Sequence, residues 1–198
     1  MTTQEAHPKL QAPGGGLPWW ELLVVRHIIF PRTVRRLTWE AADTLFQDEG
    51  KRVLAIWDAL PADRLGERIL IRRFGGIEDS SRFWSVAMTV EHLNIVGRSL
   101  RRVITALRNG QVPDIVARVE DVKPKGEQTP DEVRAEFFHL LADAAIPEPP
   151  IACGVGPRYA HPWFGPIDAF RWHCLLGVHQ QIHRKQLEGI IVGSKPKS

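Results

Sequence analysis

Apolar residues recur along this chain at the three- and four-residue steps of a helix face, and four such stretches stand out. From about Thr33 to Leu60 the stripe is Val34, Leu37, Ala41, Leu45, Val53, Trp57 and Leu60, with Gly50 as a weak point where the helix can bend and Pro61 as its end. A second helix, capped by Asp79 or Ser80, is predicted to run to about Asn109 with Val86, Val90, Leu93, Val96, Leu100, Ile104 and Leu107 on one face, stopped by Asn109 and Gly110. The third opens on TPDE (129–132), a capping box with proline at the first helical position, carries Val133, Phe137, Leu140, Leu141 and Ala144, and ends before PEPP (147–150). The fourth is predicted to begin at Gly165 and Pro166, to continue to about Ile191 and to close at Gly193.

Between these stretches strand signals are almost absent. Residues 61–79 read as a connector broken by its GG pair, and IACGVGPRYAHPWFGP (151–166) as a long loop. A helix with one apolar stripe can bury it only against neighbours, so the expected fold is all-α, a four-helix bundle with long connecting loops. Residues 1–31 are expected to form an N-terminal extension, flexible over its Pro- and Gly-rich first 18 residues; 32–192 form one domain and 193–198 a tail. Within the extension, WWELLVVRHIIF (19–30) is apolar but contains Glu21, Arg26 and His27 and is bounded by Pro18 and Pro31, too short for a membrane span. It could lie on a membrane interface or cover a partner; packing against its own bundle is the blander expectation.

Composition narrows the picture modestly. The chain has 198 residues, 43% hydrophobic and 25% charged, with a net charge of +3, an ordinary globular composition sufficient for one core. Its arginines are scattered, and only RSLRR (98–102) approaches a basic cluster, so nucleic-acid binding is not expected. Arg98, Arg101 and Arg102 read as a solvated face. Two cysteines, Cys153 and Cys174, have neither metal-ligand nor disulfide-framework spacing, and the first residues lack the layout of a signal peptide. A cytoplasmic location is the expectation.

The chemistry concentrates in HCLLGVHQQIHRKQ (173–186). His179 and His183 are four residues apart, ~40° around the helix and one turn along it, whereas His173 lies ~120° off their stripe. Trp172, Leu175, Leu176, Ile182, Leu187 and Ile190 share the stripe, so both imidazoles enter the core-facing side. Leaving a buried ring nitrogen unpaired costs roughly 1–3 kcal/mol, and a metal ion accepts both lone pairs at once. The third ligand must come from another helix. His7, His27, His139 and His161 sit in the leader, the proline-bounded segment, the third helix and a loop; His92, midway along the second helix, is the choice. The alternative is a pair of core histidines bonded to neighbouring carbonyls or carboxylates.

HPWFGPIDAFRWHCLLGVHQQIHRKQLEGI (161–190) resembles the last-helix signature of the DinB-like superfamily, and SVAMTVEHL (85–93) resembles its second-helix pattern. The resemblance follows the element order over most of residues 32–192 but is specific only in these two segments. It implies a four-helix bundle whose His92, His179 and His183 hold a divalent metal, with zinc, nickel or iron suited to imidazole nitrogen, and with positions open to water. Related activities include thiol-dependent ones, the bacillithiol transferases and mycothiol-dependent maleylpyruvate isomerases. A low-molecular-weight thiol is therefore an expected cosubstrate, beside a small-molecule substrate.

Two functions compete at this point. One is a metal-dependent transferase or hydrolase using a three-histidine site; the other is a non-enzymatic helical interaction protein, its metal structural or absent. A homodimer is expected, with residues 19–30 a candidate interface. Gln186 is placed to orient a ligand or bond a histidine. Glu91, ~100° from His92, is expected to meet solvent, His173 to face water or a partner, and Cys174 to lie opposite the histidine pair. His161 and Trp163 are expected to fix their loop over the bundle end. No catalytic residue is assigned.

Overall fold

The computed structural model describes residues 8–114, 118–143 and 150–194. The expectations concerning His7, Ala144, the PEPP stop and the last four residues fall wholly or mainly outside them. The chain is mostly helical. A short helix α1 (Trp19–Val24) passes through a π-helical turn (Val25–Ile29) into α2 (Phe30–Arg36), followed by α3 (Trp39–Asp58), α4 (Val86–Arg108), α5 (Pro130–Ala142) and α6 (Ala169–Gly193). Two small antiparallel hairpins complete the regular structure: β1 (Ile69–Leu70) with β2 (Phe83–Trp84), and β3 (Arg158–His161) with β4 (Gly165–Asp168).

Local side-chain chemistry sets the helix starts. Thr38, Ser85 and Asp168 are extended and accept from the backbone N–H groups of Ala41, Met88 and Arg171 at 3.1, 3.1 and 2.9 Å; each such cap is worth about 1 kcal/mol. Thr129 and Glu132 form the reciprocal capping box that their spacing predicts. Three boundaries differ from the sequence reading. The stripe from residue 33 breaks at Leu37 and Thr38, which leave the helical region and divide α2 from α3. The second long helix starts at Ser85, because Asp79–Ser81 forms a separate 3₁₀ turn and Trp84 pairs across to Ile69. Gly165 and Pro166 belong to a strand, with Gly165 at φ +68 beside the turn, and Asp168 starts the last helix. The segment expected to be a plain loop thus contains the β3–β4 hairpin.

Helix α6 packs on both α3 and α4, α4 packs also on α5, and α3 touches α5 lightly. Phe46, Leu93, Ile104, Phe137 and Leu187 are fully buried between them, each contributing about 1.5–3 kcal/mol. Gly50 does not break α3; it admits Leu141 of α5, whose Cδ2 occupies the space a Cβ would need. Gly177 on α6 does the same for Leu45, with that residue's Cβ and Cγ within 3.0 Å.

The N-terminal segment packs on the rest of the chain by one side, with Phe30 and Val34 in the core. Residues 11–16 are tied down, Gln11 N–H donating to Asp79 and the amides of Gly14 and Gly16 to Glu78. In the helices that follow, only one side is covered. Glu21, Phe30 and Val34 are buried and Val25 partly so, a spacing of four, five and four residues. The five-residue step is the π turn, which takes up one residue and keeps the buried side in line.

Candidate metal centre

His92 enters the interior from the second turn of α4, and His179 and His183 enter from successive turns of α6. The helix contact brings them together: ring centroids are 5.0 Å apart for His92 and His179, 4.5 Å for His92 and His183, and 4.4 Å for His179 and His183. One ring nitrogen from each lies within 4.8 Å of the others. His92 and His183 are buried, while His179 is partly exposed and gives the cluster its accessible side.

The second nitrogens are already engaged. His92 Nδ1 donates to the Val122 carbonyl at 2.6 Å, and His183 Nδ1 donates to Gln186 Oε1 at 2.7 Å. Both bonds place the proton on Nδ1 and leave Nε2 as a bare lone pair, the orientation a metal-ligating histidine needs. Gln186, fully buried, is itself held by its Nε2 donating to the Ser81 carbonyl at 2.7 Å. His92 Nε2 stands 3.2 Å from His179 Nε2. Two nitrogens at ~2.05 Å from a tetrahedral zinc would be ~3.3 Å apart, so the spacing suits a shared ion; without one, a proton on His179 Nε2 can bridge the pair.

Two loops close over this arrangement. Glu91, expected to meet solvent, is buried, and its carboxylate accepts the amides of Lys125 and Gly126 at 2.9 Å each. The reason is tertiary: the loop before α5 folds back over α4, and Glu91 holds it so that Val122 can receive the next residue's imidazole. Lys123 donates to Glu78, Ser80 and Ser81, joining that loop to the turn that supports Gln186. Trp84 packs against the His92 and His183 rings, at 5.1 and 6.1 Å.

Burial, the largest influence on all three histidines, disfavours the imidazolium form. His92 and His179 are held well below the ordinary value of 6.5, each pushed further by its histidine neighbours, and His183 is lowered to about 4 against the opposing bond to Gln186. The cluster is therefore neutral at pH 7, the ligand form. His161, from the β3–β4 hairpin, is lowered to about 3 by burial and lies near enough to His179 to disfavour its protonation. Its Nδ1 accepts the Trp163 N–H at 3.0 Å, and its ring rests on Phe164 and Trp172.

The structure brings together His92, His179, His183 and the supporting Gln186. It leaves His27 and His139 exposed, away from the cluster. His173 is fully buried, contrary to expectation: its ring stacks on Trp39 at 4.0 Å and Nε2 donates to the Trp39 carbonyl, because the first turn of α3 covers this side of α6. Cys174 is buried with its thiol pushed up to about 12 by desolvation, and Cys153 is exposed. Sequence reasoning missed Trp84, Val122 and Lys123. Val122 contributes a backbone oxygen and leaves no mark in the sequence, whereas Glu91 immediately before His92 was a mark of the loop contact. No family model, curated protein or solved structure matches the chain.

Proposed function

We propose that this protein is a DinB-like four-helix bundle that binds a divalent metal through His92, His179 and His183 and acts as a metal-dependent transferase or hydrolase. The observation that carries the reading is the pair of locked tautomers beside a gathered donor set: Val122 and Gln186 hold the Nδ1 protons of His92 and His183, and one ring nitrogen from each of the three histidines lies within 4.8 Å of the others. Buried histidines with only structural work could satisfy themselves without directing their remaining lone pairs at one point. Zinc, nickel and iron all suit three imidazoles. An ion there would lower the pKa of a bound water or of a low-molecular-weight thiol, supplying a nucleophile near neutral pH.

The chain's own residues account for the rest. Glu91 and Lys123 fix the loops, Gln186 and Val122 orient the rings, and Trp84 with the buried faces of α4 and α6 excludes water behind them. The half-open side at His179, beside His161, is where a substrate would approach. A purely structural ion normally takes four protein ligands; among the described residues three donors gather here, which favours the catalytic reading over an interaction module with a structural metal.

The test is a zinc titration of chelator-treated protein, in competition with a chromophoric chelator. Wild type should take up one equivalent, and H92A, H179A and H183A should each lose most of the affinity while keeping helical content. Failure of the wild type to bind zinc, nickel, cobalt or iron would refute the metal reading. With cobalt bound, adding cysteine or glutathione should produce a sulfur-to-cobalt charge-transfer band if a thiol is the cosubstrate; its absence, with ester hydrolysis present, would assign the hydrolase branch.

A further inference from the structure

The segment from Trp19 to Arg36 has a second face that its packing leaves outward. Glu21 anchors the inner side, accepting from Arg73 at 2.6 Å and from the Gly76 amide at 2.8 Å, while Phe30 stacks on Phe164 at 4.2 Å. With that side pinned, Trp19 and Trp20 are 75% and 56% exposed and Leu23 is 50% exposed, and Val24, Ile28 and Ile29 are exposed as well. Most of the large apolar side chains exposed among the described residues lie in these eleven positions.

The row has polarity along its length. Trp20, Val24, Ile28, Arg32 and Arg36 are all exposed, so the outward side passes from apolar to cationic along the segment. Arg26 and Arg35 are also exposed. The segment has one carboxylate, Glu21, which is buried and paired inward; none of the four arginines forms an ion pair with a described residue. A cationic amphipathic helix with tryptophans on its apolar side matches the interface of an anionic bilayer, where indole sits at the headgroup level and arginine meets phosphate. A second copy of the chain is a poorer occupant: the same strip on a two-fold partner offers these arginines no exposed carboxylate to pair with.

We propose that the outward face of residues 19–36 docks the protein on an anionic lipid bilayer, the Trp19, Trp20 and Leu23 end entering the headgroup and acyl boundary while Arg32, Arg35 and Arg36 lie on the lipid phosphates. This is peripheral attachment. Among the described residues no helix is long and apolar enough to cross a membrane. The docking is independent of any metal at the histidine cluster.

The experiment is co-sedimentation of the full chain with vesicles of pure phosphatidylcholine and of an equimolar phosphatidylcholine and phosphatidylglycerol mixture, at low and high salt. The wild type should bind the mixed vesicles, bind pure phosphatidylcholine far more weakly, and be released by salt. R32Q/R35Q/R36Q should lower partitioning by about a hundred-fold, from about five-fold for each arginine charge removed near an anionic surface. W20E/L23E should abolish binding; all five side chains are exposed, so thermal midpoints should match the wild type. No binding to mixed vesicles at low salt overturns the proposal, as does binding that survives W20E/L23E. Sedimentation equilibrium showing a dimer that W20E/L23E dissociates, with no vesicle binding, overturns it in favour of self-association.

Discussion

Replacing Gln186 by leucine separates the histidine cluster's stability from its chemistry. The Gln186 amide is fully buried and makes two bonds at 2.7 Å, accepting from His183 Nδ1 and donating to the Ser81 carbonyl. Leucine of similar length fills the space and makes neither. Each stranded polar group costs about 1–3 kcal/mol, so the metal-free protein should lose about 2–6 kcal/mol of unfolding free energy, measured by urea denaturation. The lost Nδ1 acceptor also frees the His183 ring to carry its proton on Nε2, and removal of such supporting partners lowers metal affinity by about 10–100-fold. Gln186→Glu is the control. Its carboxylate still accepts from Nδ1 but faces the Ser81 carbonyl, so zinc affinity should stay at or above the wild-type level while stability falls. If Q186L bound zinc as tightly as the wild type while losing stability, Gln186 would be a core residue only, and the argument from a locked tautomer would be wrong.

Acid should destabilise the metal-free protein well before carboxylates protonate. The folded state holds His183 near 4 and keeps His92 and His179 lowered, while the unfolded chain takes up protons on all three near 6.5. Stability is then complete above about pH 6.5 and is lost as pH falls toward 4, by about 3 kcal/mol at the low end from His183 alone at ~1.4 kcal/mol per pH unit. An unchanged urea midpoint between pH 7 and pH 5 would contradict this, and zinc should move the loss to lower pH. Two glycines on α6 should respond with opposite signs to alanine. At Gly177 the new methyl meets the backbone-proximal atoms of Leu45, so crowding of about 1–3 kcal/mol should outweigh the ~1 kcal/mol gained in helix propensity. At Gly189 it meets Ile71 at 3.6 Å or more, and G189A should raise the melting temperature. Equal shifts for the two would show that the α3–α6 contact is looser than described.

The reach of the sequence is seen in particular residues. TPDE marked the start of α5 to the residue because a capping box is complete within four positions. The His179 and His183 pair was legible for the same reason, since a four-residue step on one helix needs no tertiary information. His92 required a choice among five other histidines, and its place far from the ends of a helix that can face the last one carried that choice. The start of α4 was misplaced because Asp79, Ser80 and Ser85 are all competent caps, and the pairing of Trp84 with Ile69 selects among them. His173 was assigned to water or a partner and Glu91 to solvent by angle alone; the first turn of α3 and the loop before α5 cover them.

What the chain determines by itself is local: where helices begin when caps are unique, which face of each is apolar, and that two imidazoles share a turn. These follow from the 3.6-residue period and from hydrogen bonds between near neighbours. The tertiary structure alone decided that a third imidazole from α4 meets the other two, that a backbone carbonyl from the 120–122 turn sets its tautomer, and that one side of residues 19–36 stays outward. Those outcomes depend on which helix faces which and on how loops return across them, contacts between residues dozens of positions apart that no periodic pattern encodes.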